Sequence, residues 1–244
     1  AKNRLPDCEV RVQLPATFDD AIWPMLGWLA GARSPNGIPV LTGLEAVSPT
    51  SDDLKALCAA FGTTSAAPLL HIRGHTPESQ LLPRPGADTF DITVAHLARL
   101  WRDFNAADEC VDLVAIGSPH ASLSECRNFA NYLDGKTCHR DTKTIVTMGR
   151  DVLSQAVKEG LVARLDKAGV QIIPDICWCS ITEPIFPTSA SVVMTNSGKY
   201  SHYAKGLTGR DIRFGSLQDC ASVSCSGVAN SGLPEWLLQQ TDQA

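Results

Sequence analysis

Short β-branched and aliphatic runs alternate along the chain with longer stretches whose apolar positions recur at helical spacing. Residues 10–14 (Val-Arg-Val-Gln-Leu), 39–43 (Pro-Val-Leu-Thr-Gly) and 68–72 (Pro-Leu-Leu-His-Ile) read as strands. Between them, 18–32 and 51–61 read as helices, the first capped by Thr17 and the second opened by Ser51-Asp52-Asp53. After the third strand, Thr76 can cap a helical turn and Pro77 can take its first position. Pro83-Arg84-Pro85-Gly86 interrupts the pattern, and 92–104 reads as a long amphipathic helix. The second half repeats the alternation, with strands at 111–117, 144–147, 170–174, 191–195 and 212–214. Its helices fall at 123–133, at 151–168 with a break near Gly160, from Gly198 onward, and at 217–228. Strands joined through helices need crossover connections, which are right-handed and give parallel pairing. The expected fold class is therefore α/β, a three-layer αβα arrangement with mainly parallel sheets. Two domains are expected, 1–90 and a doubly wound 106–244, with the boundary within 83–106.

Composition narrows what such a fold can do. Hydrophobic residues make up 44% and charged residues 19%, which suits a packed core and not disorder. A net charge of −5 argues against holding nucleic acid or an anionic membrane by bulk charge. No stretch approaches a membrane span and no charged-then-apolar leader opens the chain, so a cytoplasmic location is expected. The chain begins Ala1-Lys2-Asn3 without an initiator Met, which reads as a processed piece, a domain of a longer protein, or one subunit of an assembly. Its nine cysteines are odd in number and scattered. Reduced thiols, most of them small buried hydrophobes, fit better than a secreted disulfide scaffold.

In an open parallel sheet, ligands bind beyond the carboxyl ends of the strands. Five loops fall there: Gly74-His75-Thr76-Pro77-Glu78, Ser118-Pro119-His120-Ala121-Ser122, Asp175-Ile176-Cys177-Trp178-Cys179, Asn196-Ser197-Gly198-Lys199-Tyr200 and Gly215-Ser216-Leu217-Gln218-Asp219-Cys220. Polar, titratable and sulfur-bearing residues thus gather at one edge. Each loop also has a plainer reading. Gly-Ser and Asn-Ser pairs often only turn a strand into a helix and cap it. His71 reads as a core histidine, His96 and His139 as surface or satisfied residues, and Lys199 as a solvated lysine. His120 directly follows a buried strand, which aims its ring at the edge. Cys177 and Cys220 follow different strands to that edge, where thiolates from separate loops can share an iron–sulfur cluster. By spacing alone, two buried thiols are the favoured reading. Cys177-x-Cys179 is too close to be a zinc knuckle by itself. The phosphate-binding, dinucleotide-binding and Gly-x-Ser-x-Gly motifs are absent, which removes the main support for those chemistries.

Taken together, the five loops, with Glu125 and the run Ser201-His202-Tyr203, resemble the aconitase X family, a divergent branch of the aconitase superfamily. The resemblance extends from about Val10 to about Gly232. It implies an aconitase-like fold and an iron–sulfur hydro-lyase that removes water from a small 3-hydroxy acid. One branch is similar to cis-3-hydroxy-L-proline dehydratases, often carrying a two-iron cluster. The other is similar to mevalonate 5-phosphate dehydratases and tends to have Cys where this chain has Ser118, so the first branch is expected here. A [2Fe-2S] cluster on Cys177 and Cys220 is then expected. His120, Ser118 and Lys199 become the expected catalytic groups, and His75, Thr76, Asn196 and Ser197, with Lys199, the expected substrate-binding ones. Lys199 and Ser197 lie at a helix start, where N–H groups and the helix dipole favour a carboxylate. Two departures from the family pattern bear on the cluster loop: Ile176 stands where Thr is usual, and Cys179 is unusual there. The family's catalytic unit is longer, with an N-terminal part and a small swivelling domain, so this chain looks like the later part of the large portion. The expected partners are the hydroxy acid and a swivelling domain or subunit, with no nucleic acid and no membrane. A non-catalytic α/β subunit that needs a partner domain is the alternative of another class.

Overall fold

The computed structural model describes residues 2–238. Two units divide it, one running to Arg102 and resuming at Leu233, the other spanning Asp103–Gly232. No helix among the described residues is long and apolar enough to cross a membrane.

In the first unit, strands β1 (Cys8–Val12), β2 (Pro39–Thr42), β3 (His71–Ile72) and β4 (Asp88–Ile92) pair in parallel in the order β3-β2-β1-β4. Helices α1 (Ile22–Arg33) and α2 (Ser51–Thr64) pack closely because Gly27 lets the backbones meet. A Cβ at Gly27 would sit 2.0 Å from the Leu57 carbonyl oxygen. α2 starts at Ser51, as expected, and Thr50 caps it through a capping box with Asp53. α3 (Val94–Phe104) follows β4. No helix forms after β3, because the Thr76 hydroxyl accepts from the Ile72 amide at 2.9 Å and folds the segment into turns.

The second unit carries β5 (Leu113–Ala121), α4 (Leu123–Tyr132), β6 (Lys143–Met148), α5 (Arg150–Lys158), α6 (Leu161–Ala168), β7 (Val170–Pro174), β8 (Val192–Thr195), α7 (Gly198–Thr208), β9 (Asp211–Phe214) and α8 (Leu217–Ser226). The strands are parallel in the order β7-β6-β5-β8-β9. Alternate strand residues feed opposite faces. Val114 and Ile116 join a core with residues of α4, α6 and α8, among them Phe129, Leu165 and Cys220. Leu113 and Ala115 join a second core with Trp178, Phe186 and, from α7, Tyr200 and Ala204. Both faces being covered explains why β5 opens as an unbroken apolar run, Leu113-Val114-Ala115-Ile116. This is the three-layer α/β architecture, parallel as the alternation of elements implies. Gly160, in the left-handed region, separates α5 from α6 at the expected break. Arg213 is 1% exposed, and its guanidinium donates to the carbonyls of Asn105, Ala107 and Asn230, fastening the ends of the unit to β9. In the first unit, α9 (Glu235–Leu238) closes the described chain.

Candidate active site

In the second unit's strand order, chain direction across the sheet reverses between β5 and β8. Such a reversal marks the carboxyl ends of those two strands as the usual ligand position, a crevice in sheets of this kind. Ser118 and His120 stand at the end of β5, and Asn196 to Lys199 at the end of β8.

Gly117 shapes the first of these ends. Its φ is +107°, and a Cβ there would lie 2.2 Å from the Thr147 carbonyl oxygen. The Thr147 hydroxyl donates to the Gly117 carbonyl at 2.9 Å, and the β5–β6 pairing shifts register between Ile116 and Ala121. Just beyond, Ser118 is 3% exposed and its hydroxyl has no hydrogen-bond partner. The Ser118 carbonyl accepts from the Ser197 hydroxyl. Ser197 also caps α7, its oxygen accepting from the Tyr200 amide at 3.0 Å. Ser197 is thus engaged in joining β5 to α7. Neither the Asn196 amide nor the Lys199 ammonium has a hydrogen-bonding or ion-pair partner among the described residues.

The loop after β7 reaches this crevice under three restraints. Asp175 takes the left-handed region at φ 58°, and its carboxylate accepts from the Arg150 amide at 3.0 Å and from the Arg150 guanidinium. These bonds hold the Asp175 carboxyl below the usual carboxylate range, and the nearby His120 adds to the effect. His120 Nε2 lies 3.0 Å from the Ile176 carbonyl, an acceptor, so that nitrogen carries the proton. The buried Trp178 indole donates to the Ile116 carbonyl at 2.8 Å. Between these anchors lie Cys177 and Cys179, with the Lys199 charge near enough to act on Cys179. Burial pushes the Cys179 thiol up, Cys177 pushes it further, and Lys199 opposes both. Burial likewise pushes the buried Tyr200 phenol up, with Cys179 adding to it.

A carboxyl held low by its partners contributes stability above its unfolded value, near 4. That contribution is lost as pH falls through the lower folded value. In the metal-free chain, a carbon NMR titration is expected to give Asp175 a midpoint below that of ordinary aspartates, rising toward it in Arg150→Ala. An ordinary midpoint in the unaltered chain would contradict the restraint described here.

Cys220 is wholly buried in the core beside Val114, Ile116 and Met194. The Ser216–Asp219 capping box starts α8 at Leu217, and the buried stripe Leu217, Cys220, Ala221, Ser224 follows helical spacing. Helix phase therefore turns Cys220 into the sheet. In the first unit, His75 Nε2 is 2.8 Å from the Leu44 carbonyl and Thr76 is bonded to Ile72, so both serve the backbone around β3. Cys179 stood outside the expected ligand pair, because its spacing from Cys177 suits no zinc motif and it is unusual in the family's cluster loop.

Among the described residues, no group of three or more His, Cys, Asp and Glu side chains is arranged to hold a metal ion. What the site offers is two partly exposed thiols on the loop after β7, with the Ser118 hydroxyl, unpartnered among the described residues, at the end of β5. Soft thiols are a ligand type that suits an iron–sulfur cluster.

Residues 6–102 match the family model of the aconitase X second domain, and residues 111–226 that of the aconitase X third domain. The chain belongs to the aconitase X family. A Hypocrea jecorina protein named cis-3-hydroxy-L-proline dehydratase is 39% identical over 236 residues, covering 94% of this chain and 40% of that protein. A Pseudomonas aeruginosa protein of the same name is 38% identical, covering 94% of this chain and 41% of the relative. A Methanosarcina mazei protein named phosphomevalonate dehydratase large subunit is 27% identical over 93% of this chain and 54% of its own length. The chain thus spans about two fifths of the length of the first two relatives. The crystal structure of Thermococcus kodakaraensis aconitase X in its holo-form superposes with a TM-score of 0.80 at 26% identity, over 91% of this chain and 56% of that one.

Proposed function

We propose that this chain forms part of an iron–sulfur hydro-lyase that removes water from a small 3-hydroxy acid, cis-3-hydroxy-L-proline. The observation that carries the reading is the loop of Cys177, bound to the end of β5 through the His120–Ile176 and Trp178–Ile116 hydrogen bonds, at the sheet edge where strand order reverses. The 38% and 39% identity to proteins named for that substrate supports the choice of acid over the phosphorylated one. The chemistry of the site does too. A phosphate would call for several cations, and Arg150 is committed to Asp175, which leaves Lys199.

Cys177 would hold in part a cluster, a [2Fe-2S] centre in this reading, which would supply a Lewis acid for the departing hydroxyl. The chain's own residues do the rest of the positioning. Lys199 neutralises the substrate carboxylate, and the first N–H groups of α7 lie at the same helix start. Asn196 offers an amide beside it. Ser118 directs its unpartnered hydroxyl at the substrate hydroxyl. His120 fixes the Ile176 carbonyl and so acts on Cys177 through the loop. Ser197 holds α7 against β5 and keeps Lys199 and Ser118 in register. The α-proton and the β-hydroxyl leave together as water, and a carbon–carbon double bond remains.

Lys199→Met keeps the side-chain length and removes the charge. In a family-length protein carrying this chain, it is expected to lower kcat/KM for the hydroxy acid by about tenfold or more (about 1.4 kcal/mol) with little change in Tm. Near-normal kinetics would reduce Lys199 to a solvated residue and remove the carboxylate role.

A further inference from the structure

We infer that the cavity between the loop after β7 and the end of α7 is a binding site for a zwitterionic α-amino acid with an apolar side chain. The cavity measures about 350 Å³, within the roughly 300–1,000 Å³ of small-molecule sites. It belongs entirely to the second unit. Of its lining residues, Thr208 ends α7 and Arg210 directly precedes β9, which sets the cavity at the amino edge of the sheet. The loops after β5 and β8 stand at the carboxyl edge, so this site is separate from the one described above. The assignment therefore does not depend on the iron–sulfur reading.

The wall sets the chemistry of the ligand. Ile181 and Phe186 are buried members of the core that holds Trp178 and Tyr200, so the apolar side of the cavity is already formed. Half-exposed Leu207 extends it. Beside this wall stand two opposite charges that are poorly matched to each other. The Arg210 guanidinium lies 5.6 Å from the centroid of the Phe186 ring. Its Nη1 donates to the Thr208 carbonyl at 3.0 Å, but Nη2 reaches only the Thr188 carbonyl at 3.4 Å and the Glu183 carboxylate at 3.5 Å. Its Nε is buried and has no hydrogen-bond partner among the described residues. Nε and Nη2 form the edge on which a carboxylate makes two parallel hydrogen bonds. The long contacts of Nη2 allow a small rotation that turns this edge to the cavity. Glu183 is largely exposed, and a pair of this length and exposure contributes little by itself. A molecule with an ammonium and a carboxylate on one carbon replaces the loose pair by two close ones, its carboxylate on Arg210 and its ammonium on Glu183. Its side chain then covers Ile181, Phe186 and Leu207. A simple anion would face the Glu183 carboxylate, and a simple cation the Arg210 guanidinium.

The test is isothermal titration calorimetry of a family-length protein carrying this chain, with L-leucine, isocaproate and isoamylamine as probes. The last two keep the apolar body and one charge each. L-Leucine is expected to bind at millimolar concentration or below, and each singly charged probe at least about tenfold more weakly. Arg210→Met, Glu183→Gln and Leu207→Asp are each expected to weaken leucine binding by at least about tenfold, while Lys199→Met leaves it unchanged. A thermal melt shows whether Arg210→Met stays folded. If it does not, Glu183→Gln and Leu207→Asp, at exposed positions, decide the result. Absence of leucine binding at millimolar concentration overturns the inference, and so does unchanged binding in the folded variants. Leucine binding that is lost in Lys199→Met and kept in the other three belongs to the carboxyl edge, which overturns the inference and leaves the proposed function intact.

Discussion

Cys177→Ser is expected to abolish stable iron binding in a family-length protein and to lower the dehydration rate by at least about a thousandfold, about 4 kcal/mol of barrier. The size follows from the site. Lewis-acid help at the departing hydroxyl disappears when the metal is lost, and the remaining groups only bind and orient. Hydroxyl oxygen is a harder donor than thiolate sulfur and holds iron–sulfur centres poorly. Folding should be little affected. Cys177 is partly exposed, and the restraints on its loop come from Asp175, Ile176 and Trp178. Iron content, visible absorption and far-ultraviolet circular dichroism together check the outcome. Full iron content in the serine variant would remove Cys177 from the site.

Gly117→Ala is expected to destabilise the second unit by about 3 kcal/mol or more, from two causes that add. The φ of +107° is strained for any residue with a Cβ. The new methyl would also meet the Thr147 carbonyl at 2.2 Å and its hydroxyl at 2.5 Å, in the middle of a buried parallel pair. Relief requires moving β5 from β6, which displaces Ser118 and His120. Activity should therefore fall even at temperatures where the variant stays folded. Thermal unfolding should show a Tm lower by about 6–12 °C. A Tm within a degree or two of the unaltered protein would mean that β6 yields without cost. The close approach would then not define the end of β5.

The second unit was legible because its strands are buried on both faces and read as short apolar runs between capped helices. The strand-edge rule also located the loops after β5, β7 and β8. It located strand ends without fixing which way each side chain turns. Cys220 follows a strand as closely as Cys177 does, and it lies on the buried stripe of α8 with Leu217, Ala221 and Ser224. β4 went unseen because Asp88-Thr89-Phe90-Asp91 is largely exposed and acidic, the composition of an edge strand and not of a core one. The action of the Lys199 charge on Cys179 could not be read at all. It depends on β8 lying beside β5 and on the loop after β7 crossing over β6 to place Trp178 under Ile116. Strand order is a long-range property that periodicity does not encode. Ser197 shows the converse: its position was read correctly, but its hydroxyl is bound to Ser118 and Tyr200.

The most direct test of a thiol-held iron site in the crevice between β5 and β8 is an anaerobic assay of a family-length protein carrying this chain. The protein is loaded with ferrous iron and sulfide and offered cis-3-hydroxy-L-proline and, separately, mevalonate 5-phosphate. The account predicts release of water from the hydroxyproline, dependent on iron and lost in Cys177→Ser, with little turnover of the phosphate. Equal turnover with and without iron, or no turnover of the hydroxyproline by an iron-replete protein, would contradict it.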